Sequence, residues 1–80
     1  MWYVYILRCK DDSLYTGSTT DILRRLKEHN TGKGGHYTSI RRPVEIVYKE
    51  TCKDRSCAQT REAQIKSWTK KKKLALISRD

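Results

Sequence analysis

The chain contains no phenylalanine, one proline and one methionine among its 80 residues. Without phenylalanine, two tryptophans and five tyrosines must supply much of the bulk of the core. Buried Tyr and Trp side chains need hydrogen-bond partners, so this core is expected to be partly polar. No segment approaches the ~18 consecutive apolar residues of a membrane span. We therefore expect one small domain over residues 1–80, near the lower size limit for folding on a single core, with no association with a membrane.

The sequence also predicts neither a targeting signal nor paired cysteines. No basic stretch precedes an apolar run at the start of the chain, so we expect no signal peptide and a cytoplasmic location. Cys52 and Cys57 are spaced C-x₄-C and Cys9 is distant in sequence, so the three thiols cannot all pair. His29 and His36 lack the spacing of a zinc finger, which favours free thiols over a zinc site.

Acidic residues are few: nine Asp and Glu stand against 18 Lys and Arg, which gives a net charge of +9. An excess this large on a short chain favours a polyanionic partner, and we expect DNA or RNA. The segment Gly32–Pro43 combines glycine with basic residues, a composition that lets a backbone approach phosphates, although it also suits a solvated crossover. The four-lysine run Lys70–Lys73 is a solvated face with general affinity for phosphate. The candidate nucleic-acid-binding residues are Arg24, Lys33, Arg41 and Arg42.

Hydrophobic periodicity and turn residues predict an α+β domain with the element order β-β-α-β-α(-α) and a small antiparallel sheet. The predicted helix over Ile22–Asn30 has N-cap candidates at residues 19–21, and a capping box starting at Ser56 predicts a helix to about Lys70. The remaining predicted elements are strands over Trp2–Arg8, Ser13–Gly17 and Val44–Tyr48 and a short helix over Leu74–Ile77.

Two tyrosines of the predicted hairpin are candidate site residues. Tyr5 and Tyr15 both have odd numbers, so a register with an even sum places both phenols on one face of the sheet. Tyr3 shares that face. A tyrosine in a strand is more often a core residue than a catalytic one, and that interpretation stays open for both.

Polar residues also fall beside the apolar stripes of the predicted helices. At 100° per residue, Arg25 and His29 flank the stripe formed by Ile22 and Leu26. Arg25 considered alone is best interpreted as a boundary arginine that snorkels over the core.

In the second long helix, Glu62 falls next to Ala58 and Ile65 rather than among the charged residues. A carboxylate near a buried stripe needs a cationic partner. That partner is either a basic side chain, such as Arg25, or a hard divalent metal such as Mg²⁺.

Together these residues resemble the GIY-YIG nuclease superfamily, in particular its small stand-alone bacterial proteins. The resemblance covers residues 2–77 and has five parts in the family's order and spacing. They are the first motif Tyr3-Val4-Tyr5, the second motif Tyr15-Thr16-Gly17, the helix arginine Arg25, the His or Tyr position His29, and the metal glutamate Glu62.

The resemblance implies a three-stranded antiparallel sheet flanked by helices. It also implies hydrolysis of DNA with Mg²⁺ or Mn²⁺, as in excision-repair incision, homing and restriction enzymes. Tyr5 would be the general base or would position the attacking water, with Tyr15 in support and His29 as a further catalytic candidate. Arg25 would neutralise charge on the scissile phosphate, and Glu62 would hold the one divalent ion.

This chain departs from the family pattern at three positions. Tyr3 stands in place of the first glycine, Val4 in place of isoleucine, and Ser18 where several active relatives have lysine. A tyrosine with an ordinary pKa near 10 is a poor base at neutral pH. The alternative function is therefore a catalytically silent nucleic-acid-binding module, or an adaptor in a repair complex, with the same fold.

Overall fold

The computed structural model describes residues 1–78, so residues 79 and 80 of the expected domain lie outside the described residues. The described residues form three strands and four helices. Three of the helices follow the predicted order, and the short helix His36–Ser39 was not predicted. None of these helices has both the length and the apolar composition of a membrane span. The elements are β1 (Trp2–Arg8), β2 (Leu14–Thr19), α1 (Ile22–Asn30), α2 (His36–Ser39), β3 (Glu45–Cys52), α3 (Arg55–Lys66) and α4 (Lys70–Ile77).

The sheet has the order β2-β1-β3, and both neighbours pair antiparallel with β1. The three-stranded antiparallel sheet flanked by helices is thus confirmed. Tyr5 pairs with Gly17 and Leu7 pairs with Tyr15, so the register has an even sum. Tyr5 and Tyr15 are therefore diagonal neighbours on one face, as the numbering predicted.

The central strand is buried on both faces and separates two apolar clusters. Even-numbered residues of β1 pack against α3 and α4 in a cluster of Val4, Ile6, Cys52, Ala58, Ile65 and Leu76. Odd-numbered residues face α1 and contribute Tyr5 and Leu7 to a second cluster with Cys9 and Val44. Each fully buried aliphatic side chain contributes about 1.5–3 kcal/mol, so both faces hold the helices in place.

The basic segment after α1 is folded onto the domain rather than free, which corrects the expectation of a loop over Gly32–Pro43. Residues His36–Ser39 form one helical turn, α2, whose Thr38 is fully buried. The backbone N–H of Lys10 donates to the Arg41 carbonyl at 3.0 Å, which ties the segment to the hairpin turn. A four-residue helix is too short to show periodicity, so contacts with distant residues decide its conformation.

The predicted boundaries of the later elements shift for identifiable reasons. β3 extends to Cys52 rather than Tyr48, because the whole of β1 is available for pairing. The N-cap of α3 is Asp54, whose Oδ1 accepts from the backbone N–H of Cys57 at 2.8 Å, so the capping box at Ser56 was wrong. The predicted helix to Lys70 ends at Lys66, since Thr69 caps a separate helix by accepting from the N–H of Lys72.

We expect the Asp54→Ala variant to lose about 1 kcal/mol of unfolding free energy, because it leaves an N–H of the first turn without its acceptor. The control is Ser56→Ala, which is expected to change stability by less than about 0.5 kcal/mol. Urea unfolding of both variants measures this difference. Equal losses would show that Ser56 shares the capping role.

Candidate active site

The candidate site lies at β2, an edge strand of the sheet, and draws residues from both faces. Tyr5 and Tyr15 come from the face that α1 covers. Ser18 follows Gly17 on β2 and its side chain meets Glu62 of α3, on the opposite face. An edge strand leaves one side free of pairing, so groups from the two faces approach each other around it.

A chain of hydrogen bonds connects three elements behind the site. The Tyr5 hydroxyl lies 3.0 Å from Nε2 of His29, and Nδ1 of His29 lies 2.7 Å from Oγ1 of Thr38. Thr38 Oγ1 is also placed to donate weakly to the Gly35 carbonyl at 3.5 Å. With that donation, Thr38 accepts from Nδ1–H of His29 and leaves Nε2 to accept from Tyr5. One tautomer thus satisfies every group in the chain.

Burial sets the protonation of this pair. Burial raises the pKa of Tyr5 to about 12, although the nearby Arg25 guanidinium opposes the rise. Burial also lowers the pKa of His29, and the positive charge of Arg25 lowers it further. At neutral pH Tyr5 is therefore a phenol and His29 a neutral imidazole with one nitrogen available as a proton acceptor.

Two glycines make room for these rings. A Cβ at Gly17 would lie 2.5 Å from Oη and 2.7 Å from Cζ of Tyr5, so the phenol lies directly over this position. A Cβ at Gly34 would overlap the ring and the Cα of His29. Both positions therefore exclude a side chain because the Tyr5 and His29 rings occupy that space.

Arg25 is held beside the pair by two partners. Its guanidinium donates to Glu28 Oε1 at 2.9 Å and to the Gly34 carbonyl at 3.1 Å, and 30% of its side chain remains exposed. It also lies close enough to the Tyr5 hydroxyl to lower the pKa of that group, by hydrogen bonding and by its positive charge. Arg25 thus combines a fixed orientation with access to solvent.

Tyr15 lies in an aromatic group beside His29. Its ring centroid is 5.2 Å from that of His29, in an edge arrangement, and 5.8 Å from that of Tyr37. The guanidinium carbon of Arg41 lies 4.0 Å from the centroid of the Tyr37 ring. Tyr37 thereby supports the ring of Tyr15.

Glu62 has two partners, neither of which is Arg25. Ser18 Oγ donates to Oε1 at 2.5 Å, and Lys66 Nζ donates to Oε2 at 2.7 Å. The Glu62 side chain is only 20% exposed. The basic side chain that contacts Glu62 is therefore Lys66 and not Arg25.

The donor set at Glu62 fits a single, weakly held divalent ion. No group of three or more His, Cys, Asp or Glu residues suited to a metal occurs within residues 1–78. Mg²⁺ commonly takes one or two carboxylates and fills its remaining positions with water and phosphate. Each Glu62 oxygen engages one hydrogen-bond donor and keeps a lone pair for such an ion.

Comparison with known proteins now decides the family. The sequence model of the GIY-YIG catalytic domain matches residues 1–75. The chain belongs to the GIY-YIG family. It is 53% identical over 76 residues to a UPF0213 protein of Staphylococcus saprophyticus, covering 95% of this chain and 93% of the relative. It is also 54% identical over 74 residues to a UPF0213 protein of Haloquadratum walsbyi, covering 92% and 83%.

Two solved structures agree with this GIY-YIG fold. The solution NMR structure of a UPF0213 protein from Bacillus halodurans is 44% identical, with a TM-score of 0.62 over 98% of this chain and 84% of that chain. The solution NMR structure of a protein from E. faecalis is 42% identical, with a TM-score of 0.61 over 95% and 82%. The fold assignment therefore rests on both sequence and structure.

The predicted nucleic-acid-binding residues of this GIY-YIG domain differ in their solvent exposure and in the partners that already bind them. Lys33 and Arg24 are exposed, and Arg24 forms long ion pairs with Asp21 and Glu28 at 3.9 and 3.7 Å. Arg41 pairs with Asp11 at 3.1 Å. Arg42 donates to the carbonyls of Ser39 and Asn30 at 3.0 and 3.4 Å. Tyr3, a residue of the first motif, is partly buried and pairs with Thr19 of the neighbouring strand β2.

Sequence reasoning missed four residues of the GIY-YIG site. Lys66 follows Glu62 by four positions on one helix, a spacing that could have identified it as the partner. Ser18 was noted only as a departure from the family pattern. Thr38 and Tyr37 lie in a segment without periodicity, and no signal in the sequence identified them.

The close approach of Tyr5 to Gly17 predicts that Gly17→Ala destabilises the domain by about 1–3 kcal/mol, because the added methyl group overlaps the phenol ring. Urea unfolding measures the loss. In a Tyr5→Leu background, which removes the ring, the same substitution should cost less. An equal cost in both backgrounds would show that the overlap is not the cause.

The lowered pKa of His29 predicts a dependence of stability on pH. The folded state binds the proton less readily than the unfolded chain, whose His pKa is near 6.5. Stability is therefore fully present above about pH 6.5 and falls as the pH drops towards the folded-state pKa. Urea unfolding at about pH 7.5 and about pH 5.5 should show a smaller loss for His29→Gln than for the wild type. His36→Gln, at an exposed position of α2, is the control and should keep the wild-type loss.

Proposed function

We propose that this protein is a metal-dependent endonuclease that hydrolyses DNA phosphodiester bonds, in repair or recombination. The observation that carries the proposal is the 3.0 Å hydrogen bond between the Tyr5 hydroxyl and the buried His29. Membership of a nuclease family and the net charge of +9 support it.

In this proposal Tyr5 removes a proton from the attacking water and passes its own hydroxyl proton to His29. The water oxygen bonds to phosphorus as the bond from phosphorus to the leaving sugar oxygen breaks, and solvent protonates that oxygen. A phenol with a pKa of about 12 is a poor base alone, since it is fully protonated at neutral pH. Transfer of the phenol proton to Nε2 of His29 as the water proton arrives removes the need for a free phenolate. Thr38 holds the imidazole in the tautomer that accepts this proton.

The negative charge that develops on the phosphate is stabilised by two groups. Arg25 presents a partly exposed guanidinium whose orientation Glu28 and Gly34 fix. Loss of one such preorganised donor typically costs about 100- to 1000-fold in rate. Glu62 is the residue that would hold Mg²⁺ or Mn²⁺, whose charge supplies further stabilisation at the phosphate.

Binding of the nucleic acid is assigned to four basic residues around the site, three of them exposed and Arg41 partly buried. Arg24 and Lys33 lie on the solvent side of α1 and the segment after it, with Arg41 and Arg42 at the end of that segment. Phosphate contacts of this kind position a duplex without reading its sequence, and they weaken steeply with salt. We propose DNA as the substrate, and the assay below includes RNA as a competitor.

A second candidate function is a catalytically silent nucleic-acid-binding module. The pKa of Tyr5 near 12 favours it, together with Ser18 at a position where several active relatives carry lysine. Such a module would keep the fold and the basic surface but leave the phosphodiester bond intact.

The test is incubation of the purified protein with branched, nicked and single-stranded DNA, and with RNA, in the presence and absence of Mn²⁺. We expect metal-dependent cleavage that Tyr5→Phe, Arg25→Ala and Glu62→Gln each reduce by roughly 100-fold or more. Binding should persist in all three, because many basic residues share it.

The matched control for Tyr5→Phe is Tyr48→Phe, which removes a hydroxyl from a partly buried tyrosine that packs in the other cluster. It should cleave as the wild type does. Cleavage by Tyr5→Phe at the wild-type rate would refute the assignment of Tyr5. Salt-sensitive binding without cleavage of any substrate would support the silent module instead.

A further inference from the structure

Lys66 occupies an unusual place beside the candidate site. Its ammonium lies 2.7 Å from Oε2 of Glu62, the oxygen that Ser18 leaves free. The same ammonium lies 6.0 Å from the ring centroid of Tyr15. Lys66 thus stands between the carboxylate of α3 and the tyrosine of β2.

An ordinary surface pair on one helix would have the same spacing but a different setting. Pairs of that kind are solvated on both sides and contribute little. Here the carboxylate is only 20% exposed while the lysine is 50% exposed. The buried partner therefore depends on the ammonium for neutralisation, and the exposed partner remains able to move.

We propose that Lys66 is the resident counter-ion of Glu62. A divalent ion displaces Lys66 from the carboxylate, and the Lys66 ammonium then binds a phosphate of the nucleic acid. This inference rests on the proposed function for the identity of both ligands. Two cations held by one carboxylate repel each other, even on different oxygens, so Lys66 and the metal ion compete for Glu62. The displaced ammonium needs a new anion, and a bound nucleic acid provides one beside Tyr15.

The consequence is a coupling between the two ligands. Metal ion binds weakly while Lys66 occupies Glu62, and more tightly when a phosphate holds Lys66 away. Linkage requires that the metal ion strengthens nucleic-acid binding by the same factor. Lys66 also supplies a mobile positive charge near the site in a chain that has serine at position 18.

The experiment measures Mn²⁺ affinity from the signal of free Mn²⁺ in electron paramagnetic resonance, in a Tyr5→Phe background that prevents cleavage. Without nucleic acid, Lys66→Met should bind Mn²⁺ about ten-fold more tightly than the parent, because the competing charge is gone. Lys66→Arg should bind like the parent. The matched control is Lys27→Met, which removes the same charge from an exposed position on α1.

Addition of a DNA duplex completes the test. The parent should gain Mn²⁺ affinity on binding DNA, and Lys66→Met should lose most of that gain. Equal or weaker Mn²⁺ binding by Lys66→Met relative to Lys27→Met would overturn the inference, as would absence of Mn²⁺ binding in every variant. If Lys66→Met is unfolded by circular dichroism, Lys66→Gln replaces it.

The outcome is separable from that of the cleavage assay. Tighter Mn²⁺ binding by Lys66→Met in a protein that cleaves no substrate supports the counter-ion and refutes the nuclease. Cleavage with unchanged Mn²⁺ affinity in Lys66→Met supports the nuclease and refutes the counter-ion.

Discussion

The hydrogen bond between Tyr5 and His29 is the contact on which the rest of the site depends. It joins the central strand to α1, and Thr38 extends it to α2, so that one chain of polar groups connects three elements. Both rings are buried, and a buried polar group without a partner costs about 1–3 kcal/mol. The pair therefore fixes the position of α1, and with it the guanidinium of Arg25. The two glycines beside the rings follow from the same requirement, since a side chain at Gly17 would overlap the Tyr5 ring and one at Gly34 would overlap the His29 ring.

How much of this arrangement follows from sequence depends on the range of the interaction concerned. The face shared by Tyr5 and Tyr15 was predictable because strand geometry alternates with period two and both numbers are odd. The burial of Glu62 beside Ala58 was predictable because a helix repeats every 3.6 residues. These are local rules, and the family resemblance supplied the pairing of distant segments.

The rest depended on contacts between residues far apart in sequence. Helix α2 exists where Thr38 meets His29, and its four residues carry no pattern of their own. The cap at Asp54 was missed because Ser56 offered an equally plausible local signal. Asp54 has the extended backbone of an N-cap and accepts from the N–H of Cys57. The sequence allowed either a basic side chain or a metal ion as the partner of Glu62. Only the side-chain geometry identifies Lys66 as the basic side chain in contact with it.

The separation of the interior by β1 has a consequence for how this small protein tolerates change. The cluster against α3 and α4 contains six buried residues and no group of the Tyr5, His29 and Thr38 chain. The opposite cluster contains four buried residues and carries Tyr5. More of the buried apolar side chains thus lie on the face away from Tyr5 and His29. Evolution could therefore alter the polar groups around the two tyrosines, and so the reaction or its substrate, while the other half of the interior keeps the chain folded.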